Sequence, residues 1–219
     1  MGSPVELEFA CNLTVLPDQP KEFALLQLRP FIVSHEIEEV EFDLNSSDRV
    51  ICFSNQVLGH GIYNDLYDIV FVDVNKYDRA KSLEVATEIN YLNKKLIEQK
   101  RHYILIGVGR WGSKDPWLGI PVTWDQIAGA SVIVESSFKD YYTIPSQGSH
   151  FFQNITTFRV GYFTVDPYND LGYIDWDWLS SVEPEEELKF CRHLRFNNQL
   201  IVKINGHKTS GVIIKPDSK

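Results

Sequence analysis

Short apolar runs bounded by turn residues are the feature that most constrains the fold of this chain. They recur at residues 50–53, 69–72, 103–106 and 131–135. Runs without polar alternation are typical of strands whose two faces are both covered. Residues 78–100 have a different period, with apolar side chains at three- and four-residue spacing: Leu83, Ala86, Ile89, Leu92 and Leu96. This spacing predicts an amphipathic helix that begins at an Asp78 cap and ends in basic residues near Lys100.

Weaker patterns complete the predicted secondary structure. They indicate a short helix at 149–158, a strand at 160–165, a helical turn at 175–182 and a hairpin of 200–204 with 211–214 around Asn205-Gly206. The acidic stretch from 33 to 48 is predicted to be a connector with a short edge strand. Strands alternating with helices predict an α/β or α+β fold, with a mixed sheet and flanking helices.

The composition is that of an ordinary globular protein and excludes several classes of partner. The chain has 219 residues, and 21 basic against 30 acidic side chains give a net charge of -9. That charge argues against binding to the phosphates of nucleic acid. The widely separated Cys11, Cys52 and Cys191 predict neither a disulfide framework nor a zinc site. Without a bilayer-length apolar run or a secretion signal, we expect a cytoplasmic protein that does not contact membranes.

Residues 1–30 contain two strand-like runs that predict a separate β-hairpin. From Val5 to Cys11 the apolar residues Val5, Leu7, Phe9 and Cys11 alternate with Glu6 and Glu8. Strict alternation in the second run places four residues on one face, Phe23, Leu25, Gln27 and Arg29, and three on the other, Ala24, Leu26 and Leu28. If the polar sides pair, a carboxylate, an amide oxygen and a guanidinium converge.

Two interpretations of this convergence stay open on chemistry alone. Carboxylate and amide oxygens suit Mg²⁺, and a planar guanidinium suits a phosphate. The simpler interpretation is an exposed hairpin face that carries a cross-strand pair of glutamate and arginine.

The hairpin sequence resembles one known family. Val5-Glu6-Leu7-Glu8-Phe9-Ala10 and Phe23-Ala24-Leu25-Leu26-Gln27-Leu28-Arg29-Pro30 are similar to the closing hairpin of the ATP-grasp nucleotide-binding domain in phosphoenolpyruvate synthases and pyruvate phosphate dikinases. The resemblance implies that Glu8 and Gln27 bind the metal, Mg²⁺, and that Arg29 binds a phosphate of ATP. This part of the resemblance covers only the hairpin residues.

The resemblance also implies a division of the chain. Residues 1–3 are expected to be a cloning remnant, 4–32 the terminal hairpin of an ATP-grasp domain, 33–48 an acidic connector and 49–219 an α/β C-terminal domain of unassigned role. The implied function is that of the C-terminal portion of a phosphoenolpyruvate synthase-like, ATP-dependent phosphotransferase. Its partner would be an upstream ATP-grasp domain of the same polypeptide, and the fragment alone is expected to be inactive.

A glycine-rich loop follows the predicted strand at 103–106. Gly107, Gly109 and Gly112 satisfy the G-x-G-x-x-G pattern, but Pro116 and Pro121 discourage the helix that a dinucleotide site needs. Backbone N–H groups near glycines can instead form a nest for an anion, here a small molecule bearing phosphate or carboxylate.

The side chains of this loop leave two interpretations open. Arg110, Ser113 and Lys114 would add charge and a hydroxyl to the anion nest. Alternatively, the loop is a tight structural turn in which Trp111 and Trp117 cover the core. The anion nest leads to an alternative function, a non-catalytic domain that senses an anionic metabolite.

The glycine-rich loop also carries a resemblance. Its G-R-W-G-S-x-D-P-W-L-G-I-P-V segment resembles the tail of long bacterial proteins labelled phosphoenolpyruvate synthase-like.

Histidines supply the remaining candidates. Gly148-Ser149-His150 shares the last two residues of the G-G-x-T-S-H motif of phosphoenolpyruvate synthases. The resemblance makes His150 a candidate phosphoryl carrier, but the rest of the motif is missing, which favours a packed or hydrogen-bonded structural histidine. His60, near Asp65, Asp68 and Asp73, shows no metal-ligand spacing, and His193 has no motif around it.

Overall fold

The chain forms two compact units, Met1–Glu38 and Glu39–Lys219. A computed structural model describes residues 5–12, 14, 21–30, 49–113, 115, 117–137 and 154–217, and for residues 5, 6 and 28–30 it describes the backbone alone. The fold is of the mixed α/β class that the apolar runs predict.

The hairpin predicted near the start of the chain is confirmed. Strands β1 (Val5–Asn12) and β2 (Glu22–Pro30) pair antiparallel in a two-stranded sheet. The rings of Phe9 and Phe23 stack with centroids 5.1 Å apart. Neighbouring apolar side chains are exposed, including Leu7 and Leu25.

The strict alternation expected for β2 is wrong at one position. Glu8 pairs with Gln27, but the next residue, Phe9, pairs with Leu25. Leu26 is therefore an extra residue without a partner on β1, which is a β-bulge. Because the bulge changes the phase of β2, Gln27 lies on the face opposite to Leu25 rather than on the same face.

The second unit is built on a ten-stranded sheet and a small two-stranded sheet. Its strands in chain order are β3 (Val50–Ser54), β4 (Val57–Leu58), β5 (Gly61–Val72), β6 (Tyr103–Val108), β7 (Arg110–Trp111), β8 (Gly119–Ile120), β9 (Ala130–Ser136), β10 (Gly161–Val165), β11 (Tyr173–Ile174), β12 (Glu186–Glu187), β13 (Cys191–Asn205) and β14 (Ser210–Ile214). The large sheet has the order β11-β3-β14-β13-β5-β6-β9-β10-β4, with β12 beside β13. Neighbours within β5-β6-β9-β10 are parallel, and the other pairs are antiparallel.

The large sheet curls back on itself. Strands β3 and β4 are consecutive in sequence but lie near opposite ends of the strand order. Their connection reaches β10, since the Ser54 hydroxyl donates to the Thr164 carbonyl and the Thr164 N–H donates to the Gln56 carbonyl over 2.9 Å. This closure buries one face of the sheet inside the curl and leaves the other face for a helix.

Both faces of the central strands are buried, which explains the continuous apolar runs. Along β5, Ile69 and Phe71 pack inside the curl, whereas Val70 and Val72 pack on the outer face with the helix. That helix is α1 (Ser82–Glu98). It buries four large apolar side chains against the sheet: Val85, Ile89, Leu92 and Leu96.

The ends of α1 differ from the prediction in an informative way. Asp78 caps a short 3-10 turn rather than α1, accepting from the Ala80 N–H over 3.0 Å. Leu83, expected on the apolar face, is 71% exposed, because it lies within α1 six residues before Ile89, about 120° around the helix from the buried face. At the other end Lys100 adopts a left-handed φ of 55°. The N–H groups of Lys100 and Arg101 then close the helix on the carbonyls of Ile97 and Leu96, both over 2.9 Å, as a Schellman motif.

The other predicted elements are largely confirmed where the structure describes them. Helix α2 (Trp176–Ser181) begins at Asp175, whose carboxylate accepts from the Trp178 N–H over 2.9 Å. The final hairpin forms from β13 and β14, although β13 is longer than predicted. The connector at 33–48 lies outside the described residues, as does most of the helix predicted at 149–158, of which residues 154–157 are helical. Among the described helices, none has the length and apolar character needed to cross a membrane.

Candidate functional site

The polar pair of the hairpin is the first candidate site. Glu8 and Gln27 lie directly opposite each other in the ladder, and Glu6 and Arg29 are paired two residues further along. Directly opposite Cβ atoms in an antiparallel pair are about 5 Å apart. A carboxylate and an amide oxygen are thus within reach of one small cation. Glu8 is exposed and Gln27 is half-buried.

The donor chemistry of this pair fits Mg²⁺, which takes oxygen ligands and commonly keeps water or phosphate in the rest of its shell. The pair would supply only part of that shell. Among the described residues, no group of three or more His, Cys, Asp or Glu lies close enough together to hold a metal ion.

The glycine-rich loop of the second unit is the next candidate. Its consecutive N–H groups donate to acceptors within the protein: Gly109 to the Ser136 carbonyl (2.9 Å), Arg110 to the Leu118 carbonyl (3.0 Å), Trp111 to the Glu135 carboxylate (2.9 Å) and Gly112 to the Ile120 carbonyl (2.9 Å). These groups are not open to an external anion. Strand β8, rather than a helix, packs beside the loop, so the geometry of a dinucleotide site does not follow Gly112.

Glu135 supplies the side-chain acceptor for this loop. Its side chain is fully buried at the end of β9, and its second oxygen accepts from the Tyr162 hydroxyl over 2.5 Å. The Trp111 ring lies against Gly107, where an added Cβ would approach it to 2.1 Å. These contacts favour the structural-turn interpretation for Trp111. Trp117, which that interpretation also placed on the core, is 64% exposed.

The side chains proposed to bind an anion differ in their surroundings. The Ser113 hydroxyl donates to the Asp115 carbonyl over 2.9 Å and accepts from the Asp115 N–H over 3.2 Å. Arg110 is half-buried, and Lys114 lies outside the described residues. Anion binding at Gly107–Ser113 stays a prediction, and it would depend on the side chains of Arg110 and Lys114.

A buried ionic cluster around Asp68 was missed by the sequence analysis. Asp68 lies on β5 with 1% of its side chain exposed. One carboxylate oxygen contacts His193 Nε2 at 2.7 Å and accepts from Arg195 Nε at 3.0 Å, and the other accepts from Arg101 Nε at 2.7 Å. Three nitrogen donors therefore converge on one buried carboxylate.

Local structure brings these partners together. His193 and Arg195 are two residues apart on β13, so they lie on the same face, and Arg195 pairs directly with Asp68 of β5. The Schellman motif at the end of α1 directs the chain through Arg101 into β6. The two-residue spacing of His193 and Arg195 indicates that they share one face of a strand. Only the pairing of β13 with β5 shows that this face meets Asp68.

The partners of Asp68 stabilise its ionised form. Burial raises the pKa of the Asp68 carboxyl, but the hydrogen bonds from His193, Arg195 and Arg101 outweigh it and hold that pKa below its ordinary value. Because an ionised carboxylate only accepts, Nε2 of His193 carries a proton. His193 is fully buried and cannot reach a substrate. Arg195 extends the network to Glu185 (3.1 Å) and Gln99 (2.7 Å).

The remaining histidine candidates have different outcomes. His150 lies outside the described residues. His60 Nδ1 accepts from the Gly206 N–H over 3.2 Å, and its ring contacts His207 at a centroid distance of 5.1 Å. Within the described part of the chain, the aspartates near His60 in sequence form no metal-binding group with it.

Comparisons with known proteins assign no family. No family model, curated protein or solved structure matches this chain. The hairpin geometry and its resemblance in sequence are therefore the available guides to function.

Proposed function

We propose that this chain is the C-terminal portion of a phosphoenolpyruvate synthase-like, ATP-dependent phosphotransferase, and that its hairpin forms one wall of the nucleotide site. The observation that carries the proposal is the direct pairing of Glu8 with Gln27. These are the two positions to which the resemblance assigns the metal ligands.

The proposed roles consist of positioning and charge neutralisation. Glu8 and Gln27 would hold Mg²⁺ through their side-chain oxygens, and the metal, when bound, would neutralise phosphate charge. Arg29 would bind a phosphate of ATP, for which its planar guanidinium is suited. Arg29 lies two residues beyond Gln27 on β2 and pairs with Glu6, which places it on the same face of the hairpin as Gln27.

The exposed apolar side chains of the hairpin support a partner layer. Leu7, Phe9, Phe23 and Leu25 are between 44% and 61% exposed. An isolated two-stranded hairpin is marginally stable in water and needs further packing. The proposal identifies that layer as an upstream ATP-grasp domain of the same polypeptide, and we infer a cytoplasmic location for the whole enzyme.

Calorimetric titration with ATP, with and without Mg²⁺, tests the proposal. We expect no binding to this chain alone, and Mg²⁺-dependent binding to a polypeptide extended upstream, lost in Arg29→Ala and retained in Lys21→Ala. Lys21 is a suitable control because it is an exposed cation immediately before β2. An extended polypeptide that binds Mg-ATP equally well with Arg29→Ala would contradict the proposal.

The same titration separates the alternative function. The probes are inorganic phosphate and a small carboxylate such as pyruvate, added to this chain alone. Binding that is lost in Arg110→Ala would favour an anion-sensing domain over a phosphotransferase fragment.

A further inference from the structure

We infer that the β-bulge at Leu26 sets the phase of the hairpin site: by absorbing the extra residue of β2, it keeps the Glu8–Gln27 pair off the apolar face of the hairpin. The geometric part of this inference stands on the strand register. Its ligand-binding part rests on the proposed function, in which Glu8 and Gln27 hold the metal.

The register fixes which residues share a face. Residues directly opposite in an antiparallel ladder lie on the same face, whereas consecutive residues of one strand lie on opposite faces. Glu8 pairs with Gln27, and its neighbour Phe9 pairs with Leu25. Gln27 and Leu25 are therefore on opposite faces although they are two residues apart, which requires Leu26 to be an extra residue.

Through this correction the Glu8–Gln27 pair and the stacked aromatic rings lie on different faces. The apolar face includes the stacked rings of Phe9 and Phe23, with Leu25 beside them. Without the bulge, the oxygen ligand of Gln27 would share this face, and the layer that covers the apolar side chains would desolvate it at a cost. The bulge thus allows one face to pack while the other stays open to a ligand.

The open face also has room for a ligand. The residues that follow the Glu8–Gln27 pair on this face are Ala10 and Ala24, which pair with each other. Their small side chains leave space beside the oxygen ligands. We expect a bound nucleotide phosphate to lie over this alanine pair.

Two changes of strand length test the inference in the upstream-extended polypeptide. Deletion of Leu26 makes β2 regular and keeps Glu8 opposite Gln27 on the polar face. An alanine inserted between Glu8 and Phe9 gives Leu26 a partner and moves Phe9 and Leu25 onto the face of Gln27. An alanine inserted between Pro17 and Asp18, outside the paired residues, is the matched control.

Manganese binding, followed by electron paramagnetic resonance, is the functional measurement. We expect the insertion after Glu8 to weaken Mn²⁺ binding by about tenfold or more, the usual effect of losing the support of a metal ligand. The deletion and the control insertion should bind as the unaltered polypeptide does. Unchanged binding in the insertion variant, or lost binding in a folded deletion variant, would overturn the inference.

A structural measurement on this chain separates failure of the inference from failure of the proposed function. We expect nuclear Overhauser contacts between the Gln27 side chain and the Ala24 methyl, and none between Gln27 and the Phe23 ring. The reverse pattern would overturn the bulge assignment, whatever binds. The expected pattern in a polypeptide that binds no Mn²⁺ would leave the bulge intact and refute the metal role.

Discussion

Substitution of Asp68 by asparagine is the most informative single change in the large unit. The replacement keeps the size of the side chain and removes its charge, so it leaves no cavity. His193, Arg195 and Arg101 would then face a group with one acceptor and one NH₂ donor. Nitrogen donors that now converge on an ionised carboxylate would oppose the new NH₂ group.

The magnitude follows from the burial of each partner. Breaking a buried ion pair by removing one member costs about 3–5 kcal/mol. The side chains of Arg101 and Arg195 are 32% and 27% exposed and can recover hydration, whereas His193 is 0% exposed and cannot. We therefore expect Asp68→Asn to lower the free energy of unfolding by about 3 kcal/mol, at the low end of that range.

Urea unfolding between pH 7 and pH 2 measures both the size and the origin of this effect. The hydrogen bonds hold the pKa of Asp68 below its ordinary value. A group with a lowered folded-state pKa stabilises the protein above its unfolded pKa, about 3.9 for aspartate, and loses that contribution as the pH falls through the folded value. The stability difference between wild type and Asp68→Asn should therefore shrink below about pH 4.

Asp65→Asn is the matched control, because Asp65 lies exposed on the same strand. It should change the free energy of unfolding by less than about 0.5 kcal/mol. An Asp68→Asn protein as stable as wild type would refute the account of the cluster. So would a difference that stays constant down to pH 2.

Three further predictions concern other buried contacts and one helix end. Glu135→Ala leaves the Trp111 N–H buried without its acceptor, so it should lower the free energy of unfolding by about 3 kcal/mol and speed hydrogen exchange at the Trp111 amide; unchanged exchange would contradict this role. Asn93→Ala removes the acceptor of the Tyr103 hydroxyl and the Gly129 N–H, and should cost about 2–3 kcal/mol in thermal unfolding. Lys100 adopts a left-handed backbone conformation that glycine tolerates better, so Lys100→Gly should raise the free energy of unfolding by about 0.5–1 kcal/mol. Its control is Lys94→Gly inside α1, which should lower the free energy of unfolding by a similar amount.

Sequence patterns predicted the elements whose signal is local. The buried strands, most of the packed face of α1 and the helical turn at 175–182 each follow from residues close together in the chain. Leu83 was wrongly placed because successive steps of three residues fall short of a full helical turn, so that Leu83 lies about 120° from Ile89 around α1. The bulge had a partial signal, since the apolar run at residues 23–26 interrupts the alternation of β2, but only the register with β1 shows which residue is extra.

The Asp68 cluster could not be found from local patterns, because Asp68 and His193 are far apart in sequence and meet only through the order β13-β5-β6. The backbone N–H groups of the glycine loop show a related effect. In the sequence these groups looked available to an external anion. In the structure the Trp111 N–H donates to Glu135, which lies on a separate strand. In both cases a distant side chain satisfies a group that local reasoning leaves open.

The metal dependence of ATP binding tests the central claim most directly. The measurement is the dissociation constant of ATP for the upstream-extended polypeptide at increasing Mg²⁺, in wild type, Glu8→Gln and Glu22→Gln. Glu22 is an exposed glutamate at the other end of the hairpin, paired with Asn12. The account predicts that Glu8→Gln abolishes the Mg²⁺ enhancement and that Glu22→Gln preserves it. A Glu8→Gln polypeptide that binds Mg-ATP as tightly as wild type would contradict it.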